Sequence, residues 1–102
     1  MNNLMILGRI EKSPIINEKE NCVEFTIKVE RNYRNKNGEY ETDFIPIKIF
    51  GSMKQGVLDY CKENDVIAVK GRLSKLRNEK LEIVVEKLSY IASGKDFQNE
   101  NI

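Results

Sequence analysis

The chain has 102 residues, of which 40% are hydrophobic and 32% charged, and its formal net charge is +1. This length predicts one domain with a single hydrophobic core that needs neither disulfides nor a structural metal. The composition excludes a wholly disordered chain, and apolar runs such as Leu4–Leu7 are far too short to span a bilayer.

Short β-strands dominate the predicted elements in the first half of the chain. Residues 4–10 form a first strand that is apolar on both faces, and Pro14 ends this segment. A polar run over residues 17–21 predicts a turn. Residues 23–29 then alternate apolar and polar side chains, which is typical of a half-buried second strand.

A tight hairpin is predicted next, because Asn37-Gly38 is the dipeptide most typical of such a turn. It leads to a third strand, Tyr40–Phe50, in which alternate residues point to opposite faces. Isoleucines occupy the core face, at positions 45, 47 and 49. The other face carries Phe44, Pro46, Lys48 and Phe50.

The pattern changes to helical spacing after the third strand. Ser52 and Gln55 form a capping-box pattern that predicts the start of a helix, and Asn64 is predicted to end it. A second hairpin follows, with strands over residues 66–73 and 81–91. The predicted order is therefore β-β-β-α-β-β.

This order, with one helix between strands 3 and 4, is that of the five-stranded OB barrel, an all-β fold. Four segments in the matching order resemble bacterial single-stranded DNA-binding proteins. They are residues 1–10, residues 35–44, Ile49-Phe50-Gly51 and residues 69–73. The sequence therefore predicts an OB-fold single-stranded DNA-binding domain over residues 1–92 and a short flexible C-terminal tail over residues 93–102.

The resemblance implies sequence-independent binding and protection of single-stranded DNA during replication, recombination or repair. Such binding needs exposed aromatic rings that stack on bases, next to Lys or Arg side chains that contact phosphates. The outer face of the third strand supplies both kinds of group through Phe44, Lys48 and Phe50, and Tyr33 adds a ring near the hairpin. The stacking aromatics of the family match Tyr33, Phe44 and Phe50.

Basic side chains around these rings are the predicted phosphate contacts. They are Arg31, Arg34, Lys36, Lys48, Lys54, Arg72, Lys75 and Arg77. The residues alone leave alternatives open: the two phenylalanines could belong to the core, and Tyr33 could pack across the hairpin. The basic residues of the second hairpin could equally form a solvated edge that discourages strand aggregation.

Catalytic and metal chemistry are not predicted. The chain has no histidine, which removes the commonest general base and the usual zinc ligand. Cys22 and Cys61 lie far apart and form no C-x-x-C motif, so we expect two buried free thiols rather than a disulfide. The sequence thus predicts a protein that is not an enzyme and carries no cofactor.

The first strand also predicts a homo-oligomer. A barrel strand needs one apolar face, but Met5 and Leu7 make the second face of this strand apolar as well. Pairing of first strands from two subunits about a twofold axis would cover the excess. The predicted interface is Leu4, Met5, Ile6 and Leu7. The family resemblance favours a tetramer, and the short second hairpin leaves a dimer as the alternative.

The chain also departs from the family. It has no tryptophan, and Asn78 stands about where a further aromatic often lies, so weaker binding or a smaller footprint is expected. The family's acidic C-terminal tip, which recruits replication and repair proteins, has no counterpart in residues 99–102. We therefore expect a tail that is either trimmed or naturally absent, as in a phage or mobile-element homologue. The sequence does not decide whether replication or repair proteins bind this chain.

Two other readings of the fold remain open at this point. One is a primosome-type OB-fold module that acts through protein contacts and binds single-stranded DNA weakly, and the other is an RNA-binding OB protein. The expected location is the bacterial cytoplasm or nucleoid, or the host cytoplasm if a phage or plasmid encodes the chain.

Overall fold

The computed structural model describes residues 1–95, which form one curled antiparallel sheet with a helix at its end. The strands are β1 (Leu4–Ile10), β2 (Ile15–Asn17), β3 (Cys22–Arg34), β4 (Tyr40–Ile49), β5 (Val66–Lys75) and β6 (Leu81–Ala92). The helix α1 (Met53–Tyr60) connects β4 to β5. The predicted order of elements is confirmed, and the short strand β2 is an addition that the sequence pattern missed.

Strand β3 organises the sheet because it pairs with β1, β2 and β4. Strand β1 pairs with β3 through Arg9 and Ile10, and with β5 along Leu4–Arg9. This change of partner within one strand curls the sheet. Strands β5 and β6 pair along their whole length, and β6 approaches β4 on the open side, which gives a half-closed barrel.

The core lies inside this curl and consists of the inward-facing residues of the strands. The largest fully buried side chains are Ile10, Val23, Ile27, Ile47, Ile49, Ile67 and Val69. Burial of each such side chain stabilises the folded state by roughly 1.5–3 kcal/mol relative to an exposed position. The predicted alternation is thus confirmed for β4, where Ile47 and Ile49 are buried and Phe44 and Pro46 are exposed.

The helix α1 begins directly after Ser52, as predicted, but it differs from its prediction in its capping and in its C-terminal end. Ser52 itself has helical dihedral angles and its hydroxyl caps no backbone group, while the Gln55 amide donates to Asp59 at 2.9 Å. The predicted capping box is therefore wrong. The helix ends at Tyr60 because Cys61 is extended and buried, and Asn64 (φ 70°) lies in the following turn. No helix within residues 1–95 is long and apolar enough to cross a membrane.

Both cysteines are buried free thiols, as predicted. Cys22 begins β3 and Cys61 follows α1, so each fills space in the interior. Burial raises the pKa of both thiols above its usual value. Both thiols are therefore weak nucleophiles, and the Cys22 thiol also donates a hydrogen bond to the Glu20 carboxylate at 3.9 Å.

The buried carboxylate of Asp65 holds the end of the described chain. Its two oxygens accept the backbone N–H groups of Lys62, at 2.8 Å, and Gly94, at 3.0 Å. Gly94 is buried against Asn64 as a result. The predicted tail lies outside the described residues from residue 96 onward.

Candidate nucleic-acid interface

Strands β3 and β4 present a solvent-facing surface on the side opposite the core, here called the outer face. On this face the cross-strand register places Lys28 opposite Phe44 and Thr26 opposite Pro46. Phe44 is 57% exposed, whereas the next residue, Ile45, packs against the core. Phe44 is therefore a surface ring and not a core residue.

The other two predicted stacking residues are also exposed. Tyr33 lies near the end of β3, within the register shift between Glu30 and Arg34, and is 62% exposed. Phe50 directly follows β4 and is 50% exposed. Six residues of extended chain separate Phe44 from Phe50, about 20 Å at the usual strand rise. The rings are therefore too far apart to stack on neighbouring bases of a compact strand.

Arg31 lies on the face of the hairpin opposite Phe44, but close enough to Tyr33 for the two side chains to interact electrostatically. Its guanidinium donates to Asp43 from Nε at 3.1 Å and from Nη2 at 2.9 Å, and to Glu41 from Nη1 at 2.7 Å. Asp43 shares the side of β4 that carries Ile45, because alternate residues of a strand point the same way. The hydrogen bond from Arg31 lowers the pKa of Asp43. The structure does not bring Arg31 together with Phe44.

Lys48 does lie on the outer face, but it is engaged by acidic groups. Its ammonium is 2.5 Å from the Glu20 carboxylate, and Glu24 is its cross-strand partner. The hydrogen bond from Lys48 lowers the pKa of Glu20, and the same bond raises the pKa of Lys48. Lys48 is thus held by the protein itself before any ligand arrives.

The remaining basic candidates divide into engaged and free side chains. Lys54 donates to the Asn21 side chain at 2.9 Å, Lys75 pairs with Glu79 at 2.6 Å, and Arg34 lies over the Tyr40 ring at 5.3 Å. Within residues 1–95, three of the predicted side chains make no ion pair, hydrogen bond or ring contact. They are Lys36, Arg72 and Arg77.

The sequence pattern missed several groups that the structure places near the predicted rings. Lys28 adjoins Phe44 across the hairpin, and Tyr40 is exposed beneath Arg34. A groove of about 360 Å³ runs between β4 and the β5–β6 hairpin, lined among others by Pro46 and Leu81. The alternation of β3 already placed Lys28 on the polar face, so that residue could have been found from the sequence.

The second face of β1 is exposed, as its sequence predicts. Met5 is 73% and Leu7 59% exposed, whereas Leu4 and Ile6 are half-buried. Strand β1 pairs with β3 through Arg9 and Ile10, and with β5 through residues 4–9. One edge of residues 4–8 therefore pairs with β5, and the opposite edge lies outside the β1–β3 ladder. An apolar surface and a strand edge outside the β1–β3 ladder therefore occur side by side.

Comparison with known proteins agrees with this geometry. A family model described as "Single-strand binding protein family" matches residues 1–93, and the chain belongs to this family. A protein of Clostridium acetobutylicum named "Single-stranded DNA-binding protein 1" is 42% identical over 77 residues, which is 72% of this chain and 70% of that protein. A second protein of this species, "Single-stranded DNA-binding protein 2", is 30% identical over 100% of this chain and 85% of its own.

Solved structures confirm the predicted OB fold. The small single-stranded DNA-binding protein of Streptomyces coelicolor superposes with a TM-score of 0.65 at 19% identity, over 89% of this chain and 96% of that one. The second single-stranded DNA-binding protein of Mycobacterium smegmatis gives 0.60 at 16% identity, over 87% of each chain. At these identities the likeness concerns the fold alone.

Proposed function

We propose that this protein binds single-stranded DNA without base preference and protects it during replication, recombination or repair. The observation that carries the proposal is the exposed Phe44 ring on the outer face, beside Lys28, in a chain of the single-strand binding family. A ring of this kind stacks on any base, and an adjacent ammonium attracts any phosphate. Nothing in the comparisons favours the primosome-type or RNA-binding alternatives.

In the proposed complex the strand follows the outer face from Tyr33 past Phe44 toward Phe50. Lys28 and Lys36 contact phosphates directly because their ammonium groups are free to reorient. The other predicted cations join after leaving their present partners, or contact more distant phosphates. The groove between β4 and the β5–β6 hairpin offers further apolar surface to bases.

Residues 1–92 constitute the proposed DNA-binding domain, and its action is binding without a catalytic step. The proposed location is the bacterial cytoplasm, or that of a host cell.

A ligand comparison tests the function. We expect labelled oligo-dT to bind much more tightly than duplex DNA or RNA, with about 4–16 nucleotides covered per subunit. If about four to six phosphates are neutralised, the log-log salt slope for oligo-dT is about −3 to −4. Titrations at several salt concentrations measure both quantities. Equal affinity for duplex DNA, or a flat salt response, would contradict the proposed function.

We further propose a homotetramer built from two dimers, in each of which residues 4–7 of β1 form the subunit contact. Support comes from the exposed Met5 and Leu7 beside the strand edge that lies outside the β1–β3 ladder. Replacing both residues by glutamate should reduce the mass measured by light scattering, because it places charges in an apolar contact. The matched control is Ile16→Glu, which alters an equally exposed isoleucine on β2.

The mass of the unaltered protein, measured by light scattering, distinguishes the possible assemblies. Four chains fit the tetramer, and two chains would retain the β1 contact while rejecting the tetramer. A mass near 11.9 kDa, that of one chain, would contradict the interface.

A further inference from the structure

The Lys48 ammonium lies in a small acidic cluster on the outer face. Glu20 accepts its hydrogen bond at 2.5 Å, and Glu24 faces it across the β3–β4 ladder. The carboxylates of Glu20 and Glu24 lie within 4.8 Å of one another, and the Glu24 carboxylate also accepts the Asn17 amide at 3.3 Å. One positive and two negative side chains therefore give the cluster a net charge of −1.

This cluster adjoins the surface on which the proposed strand lies. Lys48 occupies the same face of β4 as Phe44, four residues further along the strand. A phosphate that approaches Lys48 must compete with a carboxylate already bound to it, and must also face the charge of the second one. The positive charge of Lys48 is thus offset within the free protein.

We propose that Glu20 limits the affinity of this protein for single-stranded DNA by holding Lys48 away from phosphates, an inference that rests on the proposed function. Glu20 acts as a positioning residue, since it touches Lys48 and not the nucleic acid. Glu24 reinforces the effect through its negative charge, which faces Lys48 across the β3–β4 ladder. Removing the Glu20 charge frees Lys48 to form one further phosphate contact.

The geometry permits a clean test because this ion pair is solvent-exposed. The Lys48 side chain is 37% and the Glu20 side chain 45% exposed, and a pair of this kind adds little to folding stability. Glu20→Gln keeps the size of the side chain and its ability to accept a hydrogen bond while it removes the charge. The variant therefore reports on binding without unfolding the protein.

We expect Glu20→Gln to bind oligo-dT about two- to fivefold more tightly at low salt, the range that exposed ion pairs span. The log-log salt slope should become more negative by about 0.7, the share of one additional phosphate. In a Lys48→Met background the same change should leave the slope unaltered, because no ammonium is released. The double-mutant cycle isolates the contribution of the Glu20–Lys48 pair.

Glu86→Gln is the matched control, since it removes an exposed carboxylate on β6, whose ladder partner is β5. An unchanged affinity and slope in Glu20→Gln would overturn the inference. Equal tightening by Glu86→Gln, or an equal steepening in the Lys48→Met background, would overturn it too, because net charge would then explain the effect. Failure of the unaltered protein to bind oligo-dT would instead contradict the proposed function.

Discussion

Phe44→Ala is expected to weaken the binding of oligo-dT by about five- to a hundredfold, the largest effect on affinity of any single change proposed for this chain. The expected magnitude follows from base–aromatic stacking, which contributes about 1–3 kcal/mol per base. Phe44 offers a ring that is 57% exposed and flanked by Lys28, so its loss removes a stacking platform without opening the core. Fluorescence anisotropy of a labelled oligonucleotide measures the change.

The control for this variant is another exposed ring. Tyr60 is 74% exposed on α1, away from the outer face, and Tyr60→Ala should leave the affinity unchanged. Tyr33→Ala should cost somewhat less than Phe44→Ala, because Tyr33 lies near the end of its strand. A strongly lowered melting temperature of Phe44→Ala, with unchanged affinity per folded molecule, would show that the ring contributes to packing and not to binding.

Asp65→Ala is expected to lower the free energy of unfolding by about 2–4 kcal/mol, because one buried and one partly buried N–H donor lose their acceptor. These are the backbone N–H groups of Lys62 and Gly94, which the two carboxylate oxygens accept. Chemical denaturation at one fixed protein concentration measures the loss, since assembly makes stability concentration-dependent. Oligo-dT affinity per folded molecule should not change.

Two further substitutions serve as controls for Asp65→Ala. Asp65→Asn keeps one oxygen acceptor and should cost less than Asp65→Ala. Asp59→Ala removes an exposed carboxylate whose hydrogen bond to Gln55 lies at the helix surface, and it should change stability only slightly. A loss for Asp65→Ala no greater than that for Asp59→Ala would contradict the anchoring role of Asp65.

The fold could be predicted from the sequence where the alternation of apolar and polar residues indicates which side chains are buried. In β4 the alternation of Phe44 with Ile45 and Ile47 correctly separated the outer face from the core. Strand β2 escaped prediction because three residues are too few to show a period, and its pairing with β3 is a property of the assembled sheet. The end of α1 escaped because Cys61 leaves the helix to enter the core, which is a tertiary contact.

The site could be predicted for its rings and less well for its cations. The exposure of an aromatic side chain follows from the strand face on which it lies. The ion-pair partner of a basic side chain, however, can come from a distant part of the sequence. Lys48 meets Glu20 across 28 positions of sequence, so no local pattern indicates the pair. Arg31 was predicted to join Phe44 at one site, although it shares the strand parity of Ile27, which points to the core face.

The most direct test of the central claim is to map the DNA contact on the protein by amide chemical-shift changes in the ¹⁵N-labelled assembly during titration with oligo-dT. The account predicts that the largest changes occur along the outer face, at Lys28, Phe44 and the adjoining positions of β3 and β4, and around Tyr33. Changes confined to the exposed face of β1 at Met5 and Leu7, or to the surface of α1 around Tyr60, would contradict it.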